Sequence, residues 1–250
     1  MNGISSSLDG GVLRIALDRP EKLNAVNTPM LQELRARIDD GADASVRVVT
    51  LTGAGRAFCS GGDLTGADTD DAALAANEVV QAVVTHPKPV VAGVRGAAAG
   101  FGCSLALACD LVVAERSAYF QLAFTRIGLM LDGGASALLP AAIGRARAAR
   151  MALLAERISA ATAFEWGMIS HLVNDDDFDA QLESLAQALA TGPTRSYQWI
   201  KQAMAASTLA ELSQAQTLEA EGQEALVHTS DFREGVRAFR QRRKPVFRGC

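Results

Sequence analysis

The chain has 250 residues, 49% hydrophobic and 21% charged, with a net charge of −4 at pH 7. That length allows one large domain, or a domain with an appendage, with a sizeable core, and the composition is that of a soluble globular protein. No strong basic field is present, so neither a nucleic acid nor a membrane is an expected partner.

The segment VLRIAL (12–17) alternates like a strand. TPMLQELRARIDD follows and reads as a helix, with Thr28 placed to cap it and Pro29 at its first position. VRVVTLTG (46–53) is β-branched and reads as a second strand, and the glycine-rich GAGRAFCSGGDL after it as loop. A helical stretch over 70–85 precedes HPKPVVAGVRG, whose prolines lead into a third strand at 90–95. GAAAGFGCSLALA then turns into a helix of small residues, and CDLVVAE (109–115) and AYFQLAF (118–124) read as further strands. From Ala135 onward the pattern is helical, over 135–143, 146–155, 159–166, 179–190, 194–206, 209–227 and 231–241. Asp231 and Glu234 form a capping-box pattern for the last of these. Strand–helix alternation in the first half predicts an α/β core with buried parallel strands. The helical second half reads as a cover or an assembly surface.

Cys59, Cys103, Cys109 and Cys250 form no CxxC pair. The pattern is that of buried free thiols in a reducing compartment. The start MNGISSSLDGG has no basic head or apolar run, and the apolar stretch 103–113 is too short to span a bilayer. The expected location is cytoplasmic. His86 reads as a surface-loop residue, His171 and His228 as residues in or beside helices, and Glu115–Arg116 as a solvated turn. Asp63 and Asp110 read as hydrogen-bonding residues of a loop and a strand end. No HExxH or Ser-His-Asp spacing occurs, so no metal is expected.

Two places combine a strand end, glycines and free backbone N–H groups: FCSGGDL and AAAGFGCSLA. Glycine lets the backbone approach a ligand closely, and a helix start offers N–H groups with no intrahelical partner. Two such N–H groups converging on one point would stabilise negative charge on a carbonyl oxygen. Neither stretch fits a dinucleotide or P-loop pattern.

The chain resembles the enoyl-CoA hydratase/isomerase (crotonase) superfamily over nearly its whole length. The resemblance is carried by RPEKLNAVN (19–27), GRAFCSGGDL (55–64), KPVVAGVRGAAAGFGCSLALACDLVVA (88–114), IGLMLDGGAS (127–136) and EGVRAFRQRRKPVF (234–247), in that order. It implies an α/β spiral of β-β-α units, with a crotonase core over 1–195 and a C-terminal helical region over 196–250 for active-site cover and trimerisation. It also implies acyl-CoA thioester substrates, no cofactor beyond the coenzyme A of the substrate, and a homotrimer or dimer of trimers. The oxyanion donors carried over are the N–H groups of Gly62 and Phe101. Lys22, Ala25 and the Gly62–Asp63–Leu64 backbone fall near coenzyme A, with Lys244 and Phe247 of the tail reaching it in their own or a neighbouring subunit. The RQRRK run (240–244) reads as a solvated helix end or a clamp on the coenzyme A phosphate rather than a nucleic-acid site.

The two glutamates that hold water in the family's hydratases fall at Ser104 and Phe124 here. A serine can hydrogen-bond water but is a poor base at neutral pH, and a phenylalanine can do neither, which argues against ordinary enoyl-CoA hydration; both positions are read as lining the substrate site. Asp132, four residues after Gly128 and just before Gly133–Gly134, matches the single acid of the family's double-bond and ring-epoxide isomerases. One carboxylate suffices to move a proton between two carbons, and the apolar Leu129, Met130 and Leu131 would raise its pKa. The bland alternative is that Asp132 only caps the helix near 135–143. The expected function is therefore an isomerase of unsaturated or cyclic acyl-CoA. The rivals are a hydratase of relaxed mechanism, a hydrolase or dehalogenase with Asp132 as nucleophile, and a non-catalytic acyl-CoA binder.

Overall fold

The structure is a computed structural model that describes residues 3–64 and 72–250. The first two residues of the 70–85 prediction lie outside the described residues. In chain order the elements are β1 (Ile4–Asp9), β2 (Val12–Leu17), α1 (Thr28–Asp40), β3 (Val48–Gly53), α2 (Ala72–Thr85), β4 (Val90–Val94), β5 (Ala97–Ala99) and α3 (Phe101–Ala108). Then come β6 (Leu111–Glu115), β7 (Tyr119–Gln121), α4 (Ala135–Leu154), β8 (Ile158–Ser159), α5 (Ala160–Glu165), β9 (His171–Val173), α6 (Phe178–Ala190), α7 (Thr194–Thr208), α8 (Leu212–Val227) and α9 (Ser230–Arg240).

The larger sheet has the order β1-β2-β3-β4-β6-β9, parallel from β2 onward. A smaller sheet, β5-β7-β8, takes strands from the same successive units. The units β4-β5-α3 and β6-β7-α4 each add one strand to each sheet before a helix, while β1, β2 and β3 extend the larger sheet alone; the repeat is the expected spiral. The inner strands are apolar on both faces because both faces are covered. One side packs on Phe178, Ala186 and Ala190 of α6, through Val12, Val48, Val91 and Val113. The other side packs on α1, α2 and α3, with Ile15, Leu34, Phe58, Val80 and Leu105 at its centre.

Several predicted details move. Helix α1 is capped by Asn27, whose side chain accepts from Met30 N at 3.1 Å, so Thr28 lies inside the helix and not at its cap. The capping box at Asp231 does not form: Thr229 caps α9, accepting from Phe232 N. Asp231 accepts instead from Arg248 N and Gly249 N, and Glu234 pairs with Arg243 because the tail folds back on α9. The predicted helices 135–143 and 146–155 join into α4 across a kink at Gly144. Strands β1 and β9 were not expected: β1 is an exposed serine-rich edge strand, and His171 sits in β9. His86 is buried, not at the surface, with its ring against Gly41. Glu115 is buried rather than solvated, accepting from Gly96 N at the corner between the two sheets.

Candidate active site

Three loops at the ends of the parallel strands are bonded edge to edge. The loop after β2 is pinned by the buried Asn24, whose side chain donates to Ala54 O and Ala57 O and accepts from Arg19 N. Its next residues pair with the SGGD turn, through Val26 N to Gly61 O at 2.9 Å and Asp63 N to Val26 O at 2.8 Å. That turn is bonded in its other half to β5, through Cys59 N to Ala97 O and Ala99 N to Cys59 O. A Cβ on Gly102 would lie 2.4 Å from Cys59 O, so only glycine allows α3 to start this close to the SGGD turn.

The packing brings the two predicted donor segments together. Gly62 N and Phe101 N, the latter at the first position of α3, donate to no acceptor among the described residues. The space beside Gly62 is open. Phe101 and Phe124 are buried, and the Phe124 ring approaches Gly100. Phe124 begins the 3₁₀ turn Phe124–Ile127 that leads toward Asp132.

Asp132 follows on a loop held at several points. Ser104 of α3 is fully buried and its hydroxyl donates to Asp132 O at 2.9 Å, so it anchors the loop. Gly133, at φ +64°, packs on Ser104 and the Phe101 ring. The residue Asp132 is only partly buried, but its Oδ1 is shut from solvent and has no hydrogen-bond partner. Burial, and secondarily the charge of Glu219, push its carboxyl pKa up to about 8. The capping alternative does not hold, because the N-terminus of α4 is capped by Glu219 of α8. Its Oε2 accepts from Gly134 N at 2.7 Å and its Oε1 from Ser136 N at 2.8 Å.

Residues 7–250 match the family model described as enoyl-CoA hydratase/isomerase. The chain belongs to the enoyl-CoA hydratase/isomerase family. As a member of that crotonase family it is 44% identical to a probable enoyl-CoA hydratase of Rhodobacter capsulatus, over 98% of each chain. It is 40% identical to the 1,2-epoxyphenylacetyl-CoA isomerase of Escherichia coli K12, covering 100% of this chain and 99% of that one. A crystal structure of an enoyl-CoA hydratase from Mycobacterium avium subsp. paratuberculosis K-10 superposes with a TM-score of 0.95, at 44% identity over 98% of each chain. Family membership makes this chain an acyl-CoA hydratase/isomerase-type enzyme.

The other sequence-derived residues fall unevenly about this centre. Lys22 and Arg19 both face Asp63, at 3.8 and 3.0 Å, so Asp63 is an ion-pair partner at the mouth of the donor loop. Ala25 is buried and its carbonyl accepts from Arg19. Leu64 O accepts from Arg240 of α9 at 2.8 Å, which ties the RQRRK run to the donor loop. Lys244 and Phe247 lie in the exposed tail, and among the described residues no hydrogen bond joins them to the loop pair. Asp110 accepts from Val90 N and from Lys201, away from the centre. Among the described residues no group of three or more His, Cys, Asp or Glu is arranged to hold a metal ion, and no helix is long and apolar enough to cross a membrane.

Glu219 was not singled out in the sequence. Its only signal is the spacing Gln216, Glu219, Gln223, polar residues at i, i+3 and i+7 that form one helical stripe. All are buried, against α2 and the Asp132 loop.

Proposed function

We propose that the enzyme shifts a double bond in an unsaturated acyl-CoA, or isomerises a cyclic one, with Asp132 as its base and Gly62 and Phe101 as oxyanion donors. The thioester oxygen would sit between the two N–H groups. Asp132 removes a proton from the α-carbon of a 3-enoyl thioester, and the C–H electron pair becomes the new double bond of a dienolate. Negative charge collects on the thioester oxygen, where each preorganised donor contributes about 3–4 kcal/mol. The acid then returns the proton to the γ-carbon, the dienolate collapses to the 2-enoyl thioester, and no water is consumed.

The observation that carries this reading is the buried, partner-free Oδ1 of Asp132 beside positions that offer no second carboxylate. A raised pKa makes the acid a stronger base once ionised. Ser104 donates its hydroxyl to a carbonyl, and Phe124 has no ionisable group, which disfavours a water-activating pair. The isomerase name of the Escherichia coli relative supports the same direction.

Hydration, the activity in the name of the Rhodobacter capsulatus relative, is the competing outcome. Incubation with 3-hexenoyl-CoA and trans-2-hexenoyl-CoA separates the two. Conversion of the 3-ene without a mass change is expected, and gain of one water by the 2-ene would overturn the proposal. The region 196–250 is proposed as site cover and trimer surface, supported by the exposed Trp199, Ile200 and Met204 on α7. Light scattering giving a monomer would refute that assembly.

A further inference from the structure

Helix α4 starts at Ala135, just after Asp132. Its first N–H groups have no intrahelical partner, and a carboxylate this close would ordinarily accept from them. A carboxylate with two such bonds becomes a weak base. Here Ala135 N donates to the backbone carbonyl of Asp132, and the N–H groups on either side of it, those of Gly134 and Ser136, both donate to the distant carboxylate of Glu219. We infer that Glu219 is a positioning residue for the reaction: by capping α4 with both carboxylate oxygens, it leaves the Asp132 carboxylate with no hydrogen bond of its own. The inference rests on Asp132 being the base.

The rest of the loop supports this division of labour. Gln223, one helical turn beyond Glu219, donates to Met130 O at 2.9 Å, and Ser104 donates to Asp132 O. The loop is thus held by its backbone at Met130, Asp132 and Gly134, and the carboxylate is not needed to hold it. Among the described residues the titratable groups that face Asp132 are Cys59 and Glu219. Burial pushes the Cys59 thiol up to about 12, so it is neutral in the working range. From α3 come only Ser104 and Phe101. Glu219 is therefore the negative charge behind the base, and removing it should ease ionisation of Asp132.

The test compares Glu219→Gln and Glu219→Asp in the full chain. The readouts are kcat and KM for 3-hexenoyl-CoA, incorporation of solvent deuterium into it, the pH profile and melting temperature. Glutamine has one acceptor oxygen and no charge. Its expected result is a kcat about 10–100-fold lower, a KM little changed, and an acid limb moved to lower pH. Aspartate keeps the charge but is one methylene too short to span both N–H groups. It should lower kcat without moving the acid limb. Wild-type kcat and pH profile in both variants, or an effect confined to melting temperature, would overturn the inference. If Glu219→Gln does not fold, Glu219→Asp decides alone: reduced kcat at unchanged KM supports the inference, and unchanged kcat overturns it. Asp132→Asn separates the two levels. Deuterium exchange surviving in that variant removes the base reading itself, whereas exchange lost there but intact in both Glu219 variants removes only the role of Glu219.

Discussion

Replacing Asp132 with asparagine should destroy catalysis while making the fold more stable. Both effects come from one feature, a carboxylate held out of water with no donor at Oδ1. Its pKa is raised from 3.8 to about 8, first by burial and then by Glu219. A carboxyl group raised in the folded state contributes no penalty below its unfolded pKa. As pH climbs past 3.8 the unfolded chain releases the proton and the folded chain keeps it, so stability falls until pH passes about 8. At ~1.4 kcal/mol per pH unit, the penalty at pH 7 is about 4 kcal/mol at most. Water entry and the unbonded amide of the new asparagine, about 1–2 kcal/mol, reduce the net gain to about 2 kcal/mol. For a chain of this size that is a rise in melting temperature of about 4–8 °C at pH 7. The gain should vanish below pH 4, where wild type is protonated in both states. Loss of the base should lower kcat by about 10²–10⁴-fold, with coenzyme A affinity unchanged. Scanning calorimetry at pH 4 and pH 7, with deuterium incorporation into 3-hexenoyl-CoA, reads both effects. A variant that melts lower than wild type at pH 7, or exchanges protons at the wild-type rate, would refute the reasoning.

The pH dependence of kcat/KM should show an acid limb with its midpoint near 8, rising with pH because the base must be ionised. A limb near 4 would mean that the carboxylate is solvated in solution. Asn24→Ala removes bonds to Arg19 N, Ala54 O and Ala57 O. It should destabilise by about 2–4 kcal/mol and raise KM, read by urea denaturation and steady-state kinetics. Lys201→Met leaves Asp110, whose side chain is 26% exposed, with Val90 N but without its cation. That should lower stability by about 1–3 kcal/mol, with kcat per folded enzyme unchanged. Combining it with Asp110→Asn should recover part of the loss.

The alternating and β-branched runs made β2, β3, β4 and β6 legible, because a strand buried on both faces needs little beyond apolar side chains. Strand β1 was not legible: ISSSLD is an exposed edge whose only claim to be a strand is its pairing with β2. The caps missed by one or two residues for a related reason. Asn27 and Thr28, or Thr229 and Asp231, are all acceptable caps locally, and the surrounding chain chooses between them. At the site, glycine placement pointed to the two segments FCSGGDL and AAAGFGCSLA, since close backbone approach restricts the residue type, and Gly62 and Phe101 within them came from the family resemblance. Ser104 was read as a group lining the substrate, but a hydroxyl's partner cannot be known before the Asp132 loop is packed on α3.

What the amino-acid order by itself determined is the chemistry available: an acid at position 132, a serine at 104 and a phenylalanine at 124, which the resemblance aligns with the glutamates of the family's hydratases, and glycines where two backbones touch. Such features are local, because a missing Cβ or a missing carboxylate is missing in any fold. What only the tertiary structure decided is the state of that acid. Whether Asp132 caps a helix or stays unbonded depends on Glu219, which reaches the helix start from a distant part of the chain. Burial and neighbouring charge are properties of three-dimensional packing, and they set the proton affinity on which the proposed reaction depends.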